Sequence, residues 1–270
     1  MLLSYITTES NGTLTLDQLL RGPLSLSARE VREAKRLGLT VDGAPFFANQ
    51  RIGAGRTVAI PLAEYDMPTD FSAPAEVDIL YQDDALIAVR KPAPLQVHPS
   101  PSAPRGADTL EGRVQSYLRG GAHPVHRLDA ETTGIVLFAK LPYVQAHIQR
   151  QMQADTFRKE YLALVCGVLP ESEGVIDAPI DRVAPDSFTR AVLPGGQRAV
   201  TRYRVEAALR DISLVRLFPV TGRTHQLRVH MAHIGHPLLG DTRYFTAESA
   251  NLAAQYHAPY HQLCAVKLSL

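Results

Sequence analysis

Apolar and polar positions follow two periods along this chain, and the period of two dominates its later part. Ile135-Val136-Leu137-Phe138-Ala139 is an unbroken apolar run. It is too short for a buried helix and β-branched at its start, which predicts a strand buried on both faces. Ala85 to Val89 is a second short run, and with Val77 to Leu80 it predicts a hairpin around Gln82-Asp83-Asp84. Thr201 to Glu206 alternates and Ser213 to Phe218 nearly does, as antiparallel strands with one wet face do. Leu263 to Leu270 reads as a last strand. Helical spacing is confined to a few windows. Leu110, Val114 and Tyr117 define one, and Val144, Ile148 and Met152 another. A third has Thr224 as its cap, Leu227, Met231 and Ile234 as its stripe, and an end near Gly235-His236-Pro237. Few helices, many non-local strands and no repeated βαβ unit predict an α+β fold with a mixed, mostly antiparallel sheet.

The first part of the chain has its own pattern. Ser27 and Glu30 stand as a capping box, opening a helix with Val31, Ala34 and Leu37 to one side and an end at Gly38. Arg29, Arg32 and Arg36 recur at helical spacing on a separate face. Short strands are expected in Thr40 to Gly43 and Thr57 to Ile60. Residues 63–75 show no period and have linker composition. The chain therefore divides into a small α/β module at 1–62, a linker at 63–75 and a larger domain at 76–270.

Composition changes little in this picture. The 270 residues are 45% hydrophobic and 20% charged, with a formal net charge of +1, so any nucleic-acid signal must lie in the placement of charge. Cys166 and Cys264 both lie in apolar strand-like runs, as reduced buried thiols do. The start lacks a secretory pattern, and no stretch approaches the roughly 20 apolar residues of a membrane span. A cytoplasmic monomer without membrane association is expected.

Candidate chemistry begins at Asp129. It follows Arg127 by two residues and lies in the loop that leads into the apolar run at Ile135. An Arg-x-Asp of this kind serves either as a turn cap with its ion pair or as a reactive carboxylate on a rigid platform. His225, His230, His233 and His236 cluster, but on a helix only His230 and His233 share a face, and no Cys or carboxylate lies at ligand spacing within it. No metal is expected. Phosphate-binding Gly-rich loops, serine elbows and dinucleotide fingerprints are missing from the sequence, so no cofactor is expected either. Pro92 to Asp108, with Pro94, Pro99, Pro101 and Pro104, reads as a stiff surface loop or a substrate-contacting lid.

The motif His126-Arg127-Leu128-Asp129-Ala130-Glu131-Thr132-Thr133-Gly134-Ile135 closely resembles a signature of the RluA-type RNA pseudouridine synthases, with Thr133 in place of Ser and Ile135 in place of Leu. Three further stretches are similar to that family in the same order. They are Ile79 to Pro99, Lys159 to Gly167, and Gly222 to His230 continuing to Asp241. Arg90 and Pro94 depart from the family's usual Asn and Gly. The resemblance implies isomerisation of uridine to pseudouridine in structured RNA, with ribosomal RNA favoured over transfer RNA and no role for DNA. It implies Asp129 as catalytic carboxylate, Tyr161 as the pocket tyrosine, and Arg223 as the arginine that pairs with Asp129. Arg127 is placed to fill the space vacated by a flipped base. His126, Thr132, Thr224, His225 and Gln226 are substrate-binding candidates by motif position. The order of features in residues 1–62 resembles an S4-type RNA-binding domain, in which Arg29, Arg32 and Arg36 would contact phosphates. Two alternatives stand beside this reading: a non-catalytic RNA-binding or ribosome-assembly factor, and a metal-dependent hydrolase built on the histidines.

Overall fold

The structure, a computed structural model, describes residues 2–24, 26–62, 73–74, 76–100, 104, 106–153 and 157–269. Most of the expected linker therefore lies outside the described residues. Two compact units separate: Met1–Asp70 with Leu141–His147, and Phe71–Lys140 with Ile148–Leu270.

The first unit runs β1 (Leu2–Ile6), α1 (Leu16–Arg21), α2 (Ala28–Arg36), β2 (Thr40–Val41), β3 (Ala44–Pro45) and β4 (Thr57–Pro61). Its strands form an antiparallel sheet in the order β1-β4-β2-β3. The capping box expected for α2 is present. Ser27 Oγ accepts from Glu30 N at 3.2 Å, and Ser27 N donates to Glu30 Oε2 at 2.7 Å. A second box, Thr15 with Gln18, opens α1. Leu16, Leu19, Leu20, Val31, Ala34, Val58 and Ile60 are fully buried between the helices and the sheet. Burying an aliphatic side chain of this size contributes about 1.5–3 kcal/mol. Arg29, Arg32 and Arg36 remain on the exposed face of α2.

The second unit runs β5 (Asp78–Gln82), β6 (Leu86–Lys91), α3 (Leu110–Leu118), β7 (His123–Pro124), β8 (Thr133–Ala139), α4 (Pro142–Gln153), β9 (Arg158–Cys166), β10 (Glu173–Asp177), β11 (Ile180–Arg182), β12 (Arg190–Val192), β13 (Val200–Ala208), β14 (Ile212–Pro219), α5 (Gln226–His233), α6 (Ala247–Gln255) and β15 (Leu263–Ser269). The first residues of α4 cluster with the first unit and the rest with the second. The main sheet has the order β10-β13-β14-β9-β15-β8-β6-β5, with β7 beside β8. Its pairings are antiparallel except β15 with β8, which confirms a mixed, mostly antiparallel α+β fold. β11 and β12 form a separate antiparallel hairpin.

The parallel crossing of β8 and β15 depends on Gly134. Its φ is +107°, and a Cβ there would run into the backbone of Ala265. β8 itself is buried through Val136, Leu137, Phe138 and Ala139, as its apolar run predicts. Asp83 holds the β5–β6 turn by accepting from the backbone N–H groups of Ala85 and Leu86 at 2.8 and 2.7 Å.

Two local expectations are corrected. The segment after β6 is not simply a surface loop, because Leu95 and Val97 are buried and the N–H groups of Leu110 and Glu111 bond to Gln96 O and Val97 O. Its residues 101–103 and 105 lie outside the described residues. Thr224 does not cap α5. His225 is the N-cap, at φ +57° and with no side-chain cap bond. No helix among the described residues is long and apolar enough to cross a membrane.

Candidate active site

Asp129 sits in the loop between β7 and β8, and the chain around it is fastened from below. Val125 N donates to Leu137 O at 2.9 Å, and Leu137 N donates to His126 Nε2 at 3.3 Å. Thr132 N closes the turn onto Asp129 O at 3.1 Å, and Leu95 N donates to Ala130 O at 2.9 Å. Lys91, at the end of β6, is fully buried. Its Nζ donates to the carbonyls of Ala130, Leu95 and Pro92 at 2.6, 2.7 and 3.0 Å. Burial brings this lysine down to about 8, against the pull of Asp129. Three carbonyls converging on one ammonium tie Ala130, the residue after Asp129, to the end of β6.

The carboxylate of Asp129 is asymmetric. Arg228 Nη1, from α5, donates to Oδ2 at 3.1 Å, and His225 Nε2 lies 3.8 Å from the same oxygen. Among the described residues no hydrogen bond reaches Oδ1. Arg228 is in turn clamped by Asp241, with Nε and Nη2 donating to Oδ2 and Oδ1 at 2.7 and 2.8 Å. Burial acts to lower the Arg228 pKa, but its bonds to Asp241 and the charges of Asp241 and Asp129 lift it above the ordinary value. The reverse holds for Asp241. Burial would raise it, yet Arg228 and the backbone N–H groups of Tyr244 and Arg243 hold it below the usual carboxylate range. A bidentate, desolvated pair of this kind fixes the guanidinium plane and so the direction from which Asp129 is addressed.

Tyr161 lies in β9, paired with Leu217 of β14 and Ala265 of β15, and is buried in the core cluster. Burial first, and then the negative charge of Asp129, push its hydroxyl above the ordinary tyrosine range. It stays a protonated phenol, able to donate a hydrogen bond beside the carboxylate.

The other candidates separate into three groups. Arg127 is exposed, two residues before Asp129. His225 faces Asp129, and burial holds its ring below its ordinary pKa against the pull of that carboxylate. His126, Thr132 and Gln226 are buried and bonded within the fold. His126 is buried against Phe157 with ring centroids 5.9 Å apart, and burial drives it down to about 3. Thr132 Oγ1 lies 2.8 Å from His261 Nε2 in the interior. Gln226 Nε2 donates to Val200 O and Thr201 Oγ1, while its Oε1 accepts from Thr221 Oγ1 and Arg223 N. Those bonds occupy the amide and hold residues 221–223 in place. Thr224 is exposed.

Arg223 does not pair with Asp129. It is exposed, and its Nε donates to Arg198 O at 3.0 Å. The pairing arginine is Arg228, from the same motif. Its signal was available: on a helix Arg228 shares a face with His225, three residues earlier, whereas Arg223 precedes the first turn. Two further histidines of the cluster, His230 and His236, are bonded apart. His230 meets Thr201 Oγ1 and Ala178 O, and His236 Nδ1 lies 2.9 Å from Cys166 O. No grouping of three His, Cys, Asp or Glu residues able to hold a metal occurs among the described residues.

Comparison with known proteins places this arrangement. Residues 85–233 match the family model described as RNA pseudouridylate synthase. The chain is 34% identical over 214 residues to the uncharacterized RNA pseudouridine synthase YlyB of Bacillus subtilis, covering 76% of this chain and 70% of that protein. Similarity to the dual-specificity RNA pseudouridine synthase RluA of Vibrio cholerae is 34% over 204 residues, covering 75% and 81%. Ribosomal large subunit pseudouridine synthase D of Haemophilus influenzae is 38% identical over 202 residues, covering 72% of this chain and 61% of its own length. The solved structure of human RNA Pseudouridylate Synthase Domain Containing 1 superposes with a TM-score of 0.60 at 26% identity, covering 74% of this chain and 80% of that one. The sheet that presents Asp129 and the family match over 85–233 agree: the chain belongs to the RNA pseudouridylate synthase family.

Proposed function

We propose that this chain isomerises uridine to pseudouridine with Asp129 as the catalytic carboxylate, and that its substrate is ribosomal RNA. The observation that carries the reading is the asymmetry of Asp129. Arg228 takes Oδ2, while among the described residues no hydrogen bond reaches Oδ1, and the charge of Asp129 acts on a buried, protonated Tyr161. The reaction breaks the bond between uracil nitrogen 1 and the ribose and rejoins the base through carbon 5, with loss of the carbon 5 proton. It needs one ionised carboxylate, a group to handle that proton and a pocket that excludes water. Asp129 Oδ1 is the atom offered to the sugar, and Tyr161 supplies a ring to stack on the base and a hydroxyl for proton handling. Arg127 fills the space the flipped nucleotide leaves.

Support for ribosomal RNA comes from the relative named a ribosomal large subunit pseudouridine synthase and from the first unit. The exposed arginines of α2 form a face suited to phosphates, which gives affinity and register but no sequence choice. An S4-type role for residues 1–62 follows that argument, and a cytoplasmic location follows the substrate. The test is release of tritium from uridine labelled at carbon 5 in unmodified ribosomal RNA transcripts. Wild type releases label and Asp129→Ala does not, while both bind the RNA equally. Release by Asp129→Ala at the wild-type rate would remove Asp129 from the chemistry.

A further inference from the structure

One side chain outside the four motifs touches both groups that address Asp129. The Tyr244 ring centre lies 5.1 Å from Arg228 Cζ, and the ring meets that of His225 nearly edge-on, with centroids 5.6 Å apart and planes at 73°. Its hydroxyl lies 2.7 Å from His225 Nδ1 and accepts from the backbone N–H of Arg190 at 3.0 Å. Its own N–H donates to Asp241 Oδ1 at 2.9 Å. The next residue back, Arg243, donates from Nη1 to Thr189 Oγ1 at 3.1 Å. The β11–β12 hairpin is thus tied twice to the turn that follows Asp241.

Hydrogen positions follow from donor accounting. An amide N–H can only donate, so the Arg190 contact takes a lone pair of the phenol oxygen. The hydroxyl hydrogen is free to point to His225 Nδ1, and the opposite arrangement, with the hydrogen on Nδ1, would turn a bare Nε2 lone pair towards the Asp129 carboxylate oxygen 3.8 Å away. The charged groups acting on His225 are Asp129, Arg228, Arg243 and Asp241, and with burial they leave its pKa below the ordinary value, so the ring is neutral at pH 7. A neutral imidazole that accepts at Nδ1 carries its hydrogen on Nε2. Nε2 is the nitrogen 3.8 Å from Asp129 Oδ2.

We propose that Tyr244 is a positioning residue: its hydroxyl, keyed by the Arg190 N–H, fixes His225 as the Nε2–H tautomer aimed at Asp129 Oδ2. Arg228 and His225 then both address Oδ2, and Oδ1 is reserved for the substrate. The backbone at His225 is left-handed, φ +57°, and the ring lies against Tyr244. The functional part rests on Asp129 as the reacting group; the tautomer assignment does not.

The test uses the full-length protein with nitrogen-15-labelled histidine. Long-range proton–nitrogen correlation reads which ring nitrogen of His225 is protonated, with the signal assigned by its loss in His225→Asn. In wild type, Nε2 is expected to be protonated and Nδ1 bare. A wild-type spectrum with the proton on Nδ1 overturns the proposal, and this holds even where a variant fails to fold. Tyr244→Phe keeps the ring against Arg228 and removes only the hydroxyl. It is expected to mix the two tautomers and to slow single-turnover tritium release from unmodified ribosomal RNA roughly tenfold, the scale of one lost orienting hydrogen bond, with RNA affinity unchanged. An unaltered tautomer in that variant, or a shifted tautomer with an unaltered rate, overturns the positioning role. Wild type that releases no tritium yet shows protonated Nε2 defeats the proposed substrate and upholds the tautomer assignment.

Discussion

At the residue scale the site is a chain of charges, Asp129–Arg228–Asp241, whose last member has no exposed side-chain surface. Removing the middle link strands a buried carboxylate, so Arg228→Met is expected to cost about 3–5 kcal/mol of stability along with activity. Arg223→Ala, at an exposed arginine bonded to one carbonyl, is expected to stay within about 0.5 kcal/mol of wild type. Urea unfolding of the two variants checks the contrast, and equal losses would undo the assignment of Arg228 as the buried partner. Histidine burial sets the response to acid. The unfolded chain takes up a proton at His126 near pH 6.5, whereas burial delays uptake in the folded protein to about 3. Stability from this residue is therefore complete above pH 6.5 and is lost as pH falls towards 3, by an amount on the order of 5 kcal/mol. His126→Gln is expected to flatten the acid limb of stability measured between pH 7 and pH 4, and an unchanged slope would contradict it.

At the element scale, β8 and β15 meet in the parallel crossing that sets the Asp129 loop over the sheet. Gly134→Ala forces a Cβ into the Ala265 backbone at a positive φ and is expected to lower stability by more than about 2 kcal/mol, read as the shift in the thermal midpoint. A midpoint unchanged from wild type would mean the crossing can open without cost. The elements legible in the sequence are those whose signals are local. The Ser27–Glu30 capping box and the apolar run from Ile135 appear where their patterns put them. What was not legible depends on tertiary context. β1 pairs with β4 across more than fifty residues, and the sequences of β10 to β12 carry no clean apolar alternation. The arginine of the site is a different case: helical spacing puts Arg228 on the face of His225, a signal the sequence carries, and α5, starting at Gln226, turns that face inward. Lys91 binds backbone carbonyls, which no side-chain pattern records, and Tyr244 meets His225 and Arg228 only through the folded arrangement of the chain.

At the scale of the whole molecule, a formal net charge of +1 conceals an uneven distribution, with the arginine face of α2 in one unit and the carboxylate site in the other. Replacing Arg29, Arg32 and Arg36 together by Gln in the full chain is expected to weaken RNA binding and to reduce the salt slope of log K by up to about 2–3, with the chemical step on bound RNA unchanged. Affinity and slope equal to wild type would deny the first unit a part in RNA recognition. The central claim, Asp129-dependent isomerisation in ribosomal RNA, is tested most directly in cells. Pseudouridine is mapped chemically across ribosomal and transfer RNA from a strain lacking the gene, the same strain with wild type restored, and the same strain with Asp129→Ala. The account predicts one or more ribosomal RNA sites that vanish without the gene, return with wild type and stay absent with Asp129→Ala. Sites restored by the Asp129→Ala copy, or no site that depends on the gene, would contradict it.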